Sequence, residues 1–283
     1  MAVKVVTDSL SDITSDIAGE LGITVVPLTV LFGRESFLDR VTITTDEFYR
    51  RLIEGTVWPT TTQPSPHAFA DIYNKLAEET DEILVVTLSA KLSGTYESAL
   101  NAKWTMVKKE CHIEVIDSQT VAMGLGLLVI SVAKAAQAGA KLDELVGLVT
   151  RGMSRSHFVA YFDTLKYLAK GGRIGKAQGL LGSLLSVKPI LTVKEGEMAP
   201  LTRARSLAGG MDYFYNFVAG YAGKIEGLAV EHTTSRAEAD KLVERLGALF
   251  PKERIYRSTV SPVLGVYGGP GAMAMAVLES EKK

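Results

Sequence analysis

Ile83 to Leu88 is an apolar run broken only by Thr87, and it follows the charged pair Asp81-Glu82. Such a run is the signature of a central strand in a parallel sheet, buried on both faces. Other segments fit the same frame. Val3 to Thr7 is a short apolar run closed by Asp8-Ser9, and Ile13, Ile17 and Leu21 then recur at helical spacing before Gly22. Ile23 to Phe32 predicts a strand interrupted by Pro27. Thr44 and Glu47 make a capping box ahead of Phe48 and Leu52, and Ser65-Pro66 pairs an N-cap with a proline at the first helical position. Ser93 opens the next helix, Ile113 to Ile116 predicts a strand, and Gly124 to Ala138 a helix apolar almost all round. Strands alternating with helices to about residue 155 predict an α/β fold whose parallel sheet is covered on both faces.

The pattern then changes. Pro189 to Val193 and Met198 to Arg205, around Glu195-Gly196-Glu197, predict an antiparallel hairpin. A helix over about 206–222, a strand at Leu228 to Glu231 and a helix over Ala237 to Phe250 follow. Ile255 to Ser258 and Val263 to Tyr267 predict strands, while Ala272 to Leu278 fits a strand or a short helix. A mixed sheet, and so a second, smaller α/β domain, is expected, with domains at 1–155 and 156–283.

Composition narrows the function classes. A chain of 283 residues, 47% hydrophobic and 22% charged, can bury a sizeable core. A net charge of -1 gives no reason to expect a nucleic-acid partner. The single cysteine, Cys111, excludes an internal disulfide and fits a reducing, cytoplasmic setting. Met1 to Asp8 reads as a strand and not as a signal peptide. The longest apolar stretch, Val121 to Ala133, falls short of the ~20 residues that span a bilayer, so a buried helix is expected and no stable membrane insertion.

Two hydroxyl-rich clusters carry the chemistry: Pro59-Thr60-Thr61-Thr62-Gln63-Pro64-Ser65-Pro66 and Leu88-Ser89-Ala90-Lys91-Leu92-Ser93-Gly94-Thr95. Each leads into a predicted helix N-terminus, and neither has a strained nucleophile turn or a neighbouring histidine. Uncharged donors around a helix start suit the holding of an anion such as a carboxylate. Ser93 fits an ordinary N-cap as well as a ligand contact, and the threonine run fits an extended loop as well as a site. A hydrolase or acyltransferase with Ser93 as nucleophile is the enzymatic alternative, and it lacks a partner base.

Gly171-Gly172-Arg173-Ile174-Gly175-Lys176 is too short for a phosphate loop and has Ala177 where serine or threonine belongs. It reads as a helix start with two solvated cations, or as a basic loop that meets a phosphate or an acidic partner, which Arg205 could join. His67, His112, His157 and His232 stand at no metal-ligand spacing. Asp8 and Asp12 read as strand-end caps before a catalytic pair, and Gly268-Gly269-Pro270-Gly271 as a turn. The apolar segments Gly124 to Ala138 and Leu180 to Leu185 are core by default, or walls of an apolar cavity.

In this order, Val6-Thr7-Asp8-Ser9, Pro59-Thr60-Thr61-Thr62-Gln63-Pro64, Leu92-Ser93-Gly94-Thr95-Tyr96, Gly171-Gly172-Arg173-Ile174, Lys188-Pro189-Ile190 and Gly269-Pro270-Gly271 span nearly the whole chain. The chain thereby resembles the DegV family of bacterial fatty-acid-binding proteins. The resemblance implies a two-domain α/β protein that binds one long-chain fatty acid between its domains. It implies no catalysis by the chain and no cofactor beyond that ligand. It further implies a partner, an ATP-dependent fatty-acid kinase that phosphorylates the bound carboxyl group, the acyl phosphate passing to phospholipid synthesis. A stand-alone lipid sensor is the alternative within that frame. On the family pattern Thr61 and Ser93 hydrogen-bond the carboxylate, with Thr62 and Gly94 beside them, and Arg173 and Arg205 face the kinase or the phosphate. The family often has histidine where this chain has Tyr267, a neutral member of the carboxylate network, and serine where it has Thr62.

Overall fold

A computed structural model of the chain describes residues 2–106, 111–181 and 187–281. In chain order the first part comprises β1 (Lys4–Asp8), α1 (Ser15–Leu21), β2 (Ile23–Val26), β3 (Thr29–Phe32), β4 (Glu35–Leu38), α2 (Thr45–Glu54), β5 (Thr60–Thr62), α3 (Pro66–Leu76), β6 (Glu82–Thr87), α4 (Thr95–Ala102), β7 (His112–Asp117), α5 (Met123–Gln137) and α6 (Leu142–Met153). The second comprises β8 (Ser156–Tyr161), α7 (Lys166–Lys170), β9 (Lys188–Lys194), β10 (Glu197–Ala204), α8 (Leu207–Ala219), β11 (Ile225–His232), α9 (Arg236–Leu246), β12 (Ile255–Thr259), α10 (Pro262–Gly268) and β13 (Met273–Glu279). The fold is α/β, with one parallel and one mixed sheet.

The parallel sheet has the order β2-β1-β6-β7. Ile83 to Val86 are wholly buried in its interior strand, as an apolar run without alternation requires. The mixed sheet has the order β10-β9-β8-β13-β11-β12, with β11 and β12 parallel and its other pairings antiparallel. The segment 272–278, which fitted strand or helix, contributes β13, the strand between β8 and β11. At the tip of the β9–β10 hairpin Glu195 and Gly196 both take positive φ, 55° and 80°, the geometry that matches a two-residue turn to strand twist.

Local signals act where they were read. The Thr44 hydroxyl accepts the Glu47 N–H and the Ser65 hydroxyl accepts the Ala68 N–H, so both helix starts are capped. Gly22 ends α1 at φ 65°. Three expectations are corrected. The run 23–32 is two strands in different sheets, because Pro27 cannot donate to a ladder and the chain turns there. Thr60–Thr62 is not a loop: it pairs with β3, Thr61 opposite Val30, in a small antiparallel sheet β4-β3-β5. Residues 263–267 lie in α10 and not in a strand, since Pro262 after Ser261 sets a helix start.

The strands of the parallel sheet all precede residue 118 and those of the mixed sheet all follow 155. The core does not divide in the same way. Helix α5 packs on β1 and β6 from one side and on β8, β11 and β13 from the other. One apolar cluster accordingly runs from Val5 and Leu84 through Leu125 and Val129 to Phe158 and Ala274. Gly126 permits this: a Cβ there would collide with the carbonyl of Ser11 and the sulfur of Met123. Helix α5 is therefore core and not cavity wall. Leu184 and Leu185 lie outside the described residues. No helix among the described residues is long and apolar enough to cross a membrane.

Candidate functional site

A cavity opens where β5, the loop after β6, the loop after α7 and α10 converge. Its polar groups are those of Thr61, Gln63, Ser93, Arg173 and Tyr267, and the remaining walls are apolar, among them Leu10, Leu28, Leu88 and Val263. A second cavity lies against it. Val121, Leu168, Met198, Leu264 and Tyr267 wall both. The second is almost wholly apolar, lined by Phe158, Phe162 and alanines of β8 and β13. Its one further hydroxyl, that of Thr233, is already bonded to the carbonyl of Ala272. A cavity with a polar mouth thus adjoins an apolar one.

The mouth is built by residues far apart in the chain. Thr61 Oγ1 and the Tyr267 hydroxyl are hydrogen-bonded at 2.5 Å. Ser93 Oγ and Thr95 Oγ1 are bonded at 2.9 Å. Each hydroxyl carries one proton and two lone pairs. When Tyr267 donates to Thr61, and Thr95 to Ser93, the protons of Thr61 and Ser93 are both left to point at an anion. Arg173 donates to the carbonyls of Leu92 and Gly171, and its guanidinium stands 5.5 Å from the Tyr267 ring centroid. It forms no ion pair among the described residues, so a cation without a carboxylate partner lies at the rim.

The sequence placed Ser93 at the N-cap of α4, but that position is held by Gly94, and the Ser93 hydroxyl caps nothing. Its only described side-chain partner is the Thr95 hydroxyl, which cannot act as a base, so a nucleophilic Ser93 has no activating group. Thr62 stays out of the cavity: alternation along β5 turns it away from the face of Thr61, and it is exposed. Gly94 lines an outer groove beside Ser93 and Arg173. Arg205 is exposed and follows the end of β10, seven residues past the cavity-wall residue Met198. It lines neither cavity. Gln63 stood in the quoted motif but was not singled out, and the structure puts it in the mouth.

Buried carboxylates behind the cavity hold its walls. Asp8 accepts the N–H groups of Leu10 and Leu88 at 3.0 and 2.8 Å. This is the strand-end cap read from the sequence, extended across two strands. Ser9 donates to Asp39 at 2.7 Å and accepts the N–H of Leu28. Burial pushes both Asp8 and Asp39 up to about 7, against the lowering effect of these hydrogen bonds. Deeper still, Asp12 pairs with Arg40 at 3.2 Å and accepts the Ser261 N–H. Glu231, wholly buried, accepts the Met123 N–H, and burial, with Asp12 beside it, raises its pKa well above the usual range. The hydroxyl of Ser89 donates to the carbonyl of Gly196 at 2.7 Å, tying the loop after β6 to the hairpin turn. No group of three or more His, Cys, Asp or Glu among the described residues could hold a metal ion.

Residues 2–280 match the family described as "Uncharacterised protein, DegV family". A DegV domain-containing protein of Caldanaerobacter subterraneus is 37% identical over 274 residues, covering 95% of this chain and 96% of that protein. A structure described as fatty acid binding of a DegV family protein from Thermus thermophilus superposes with a TM-score of 0.90 at 31% identity, covering 99% of this chain and 100% of that one. DegV of Bacillus subtilis, described as a fatty acid binding protein, gives 0.91 at 26% identity, covering 98% and 99%. With a family match over nearly its entire length and relatives above 30% identity, the chain belongs to the DegV family.

Proposed function

We propose that the protein binds one long-chain fatty acid, its carboxylate at the mouth and its tail in the adjoining cavities. The observation that carries this reading is the pair of adjoining cavities, one with polar groups gathered in its lining and the other almost wholly apolar. Each buried methylene is worth ~0.8 kcal/mol, so an acid of about C14 to C18 gains roughly 10 kcal/mol before ordering costs. A buried carboxylate without partners would forfeit that gain. Thr61 and Ser93 supply uncharged donors, and Tyr267 and Thr95 orient them.

A chain with donors but no base holds a carboxyl group without attacking it. The role proposed is that of a cytoplasmic carrier that presents the acid to an ATP-dependent fatty-acid kinase for phospholipid synthesis. There a carboxylate oxygen attacks the γ-phosphorus, the bond to ADP breaks, and acyl phosphate and ADP leave. Arg173, at the rim and without an anionic partner, is assigned to the incoming phosphate. Arg205, exposed and outside both cavities, is assigned to contact with the kinase.

The test is direct. Mass spectrometry of the purified protein should show a co-purified acid of about C14 to C18, and delipidated protein should take up oleate or palmitate. Protein that is repeatedly empty and takes up neither would end this reading.

A further inference from the structure

Every polar group of the mouth but one already has a partner. Thr61 is bonded to Tyr267, Ser93 to Thr95, and Arg173 to two carbonyls. The exception is the carboxamide of Gln63, which lines the cavity and has no hydrogen bond among the described residues. The residue is exposed, and two neighbours constrain where it stands. The residue follows the last residue of β5, and the buried Pro64 after it restricts its backbone to extended conformations. Its amide lies against Gly94. A Cβ on Gly94 would stand 2.9 Å from the amide carbon and oxygen, and closer still to the nitrogen. The absence of a side chain at 94 leaves the room this group occupies.

We propose that Gln63 is a third head-group donor, seated by Gly94, and that it selects a carboxylate over an uncharged polar head. The inference rests on the fatty-acid reading and deepens it. A carboxylate offers about four acceptor sites, and the two hydroxyls fill one each. The carboxamide adds two N–H donors, without adding charge, for the acceptor sites that Thr61 and Ser93 leave unfilled. An alcohol head needs no third donor. The seat also accounts for a glycine at the N-cap of α4, where serine, threonine or aspartate would cap the helix better.

The experiment compares oleic acid with oleyl alcohol on delipidated wild type, Gln63→Ala, Gln63→Glu and Gly94→Ala, by competitive displacement of a fluorescent fatty acid. Wild type should favour the acid. Gln63→Ala should weaken acid binding about tenfold and leave alcohol binding within about twofold, since the lost hydrogen bonds go to a charged acceptor. Gln63→Glu, which places an acceptor-only anion at the site, should weaken the acid by about a hundredfold or more and retain the alcohol. Gly94→Ala, which unseats the amide, should follow Gln63→Ala. Alcohol binding reports an intact cavity in each variant. If acid and alcohol weaken together in Gln63→Ala, or if the acid-to-alcohol ratio is unchanged in it, the proposal is overturned, whatever Gly94→Ala does. A wild type that binds both ligands without preferring the acid overturns the proposal alone. A wild type that binds neither removes the fatty-acid reading itself.

Discussion

Thr61 on β5 and Tyr267 near the end of α10 meet through their hydroxyls at 2.5 Å, although 206 residues separate them in the chain. One comes from the small sheet beside the parallel sheet, the other from the helix that leads into the centre of the mixed sheet. The mouth exists only where these two halves meet. A tyrosine here can donate to Thr61, which leaves the Thr61 proton for an anion, without bringing a charge of its own.

Tyr267→Phe should therefore free the Thr61 hydroxyl to turn elsewhere while leaving the apolar wall intact. Oleate affinity should fall by roughly three- to tenfold, the worth of one hydrogen bond. Titration of delipidated protein measures it. An unchanged affinity would mean that the hydroxyl pair does not orient the head group.

The inner cavity should set the longest tail accepted. Ala274 on β13 is one of its small walls. Ala274→Leu adds three carbons there, and overpacking costs typically 1–3 kcal/mol where nothing gives. Palmitate should weaken by about tenfold or more while decanoate is little affected. Equal losses for both would place the tail elsewhere.

If the proposed role of Arg173 at the incoming phosphate is right, Arg173→Ala should leave lipid retention unchanged and lower acyl-phosphate formation with a partner kinase by about tenfold or more. Ser93→Ala should do the reverse at the first step and release the lipid. Equal lipid loss in the two variants would refute this division of labour.

Stability should carry a particular pH dependence. Glu231, with its folded pKa well above the ordinary value near 4.5, holds its proton in the folded chain at pH values where the unfolded chain has lost it. Its contribution is complete below that ordinary value and declines as the pH rises toward the folded pKa. Asp8 and Asp39 act in the same direction between 3.8 and about 7. Glu231→Gln imitates the protonated form: its amide oxygen can accept the Met123 N–H and its NH₂ can donate to Asp12. The variant should melt at about the same temperature as wild type near pH 5 and roughly 3–6 °C higher near pH 8. Thermal unfolding across that range tests it, and a lower melting temperature at pH 8 would contradict the assignment.

Local signals in the sequence proved sufficient for much of this fold. The run at Ile83, the caps at Thr44 and Ser65 and the turn at Glu195-Gly196 each act within a few residues, through burial, hydrogen bonding or backbone sterics that neighbours alone decide. The same holds for Pro27, which marked an interruption. What it could not mark was that the two sides of the break enter different sheets, because pairing partners lie far along the chain.

The candidate site divides along the same line. Thr61 and Ser93 were legible because hydroxyls cluster near strand and helix ends, and a motif in register added the family. Thr62 was misplaced because alternation is a property of β5, and β5 exists only through its pairing with β3. Gln63 was overlooked because a glutamine in a loop says nothing until Gly94, thirty-one residues on, is seen to lie beneath it. The sequence by itself determined the α/β class, the local caps and turns, and the two hydroxyl clusters that hold Thr61 and Ser93. Only the tertiary structure decided which donors converge, where the cavities lie and which carboxylates are buried, because these depend on contacts between segments that no local pattern encodes.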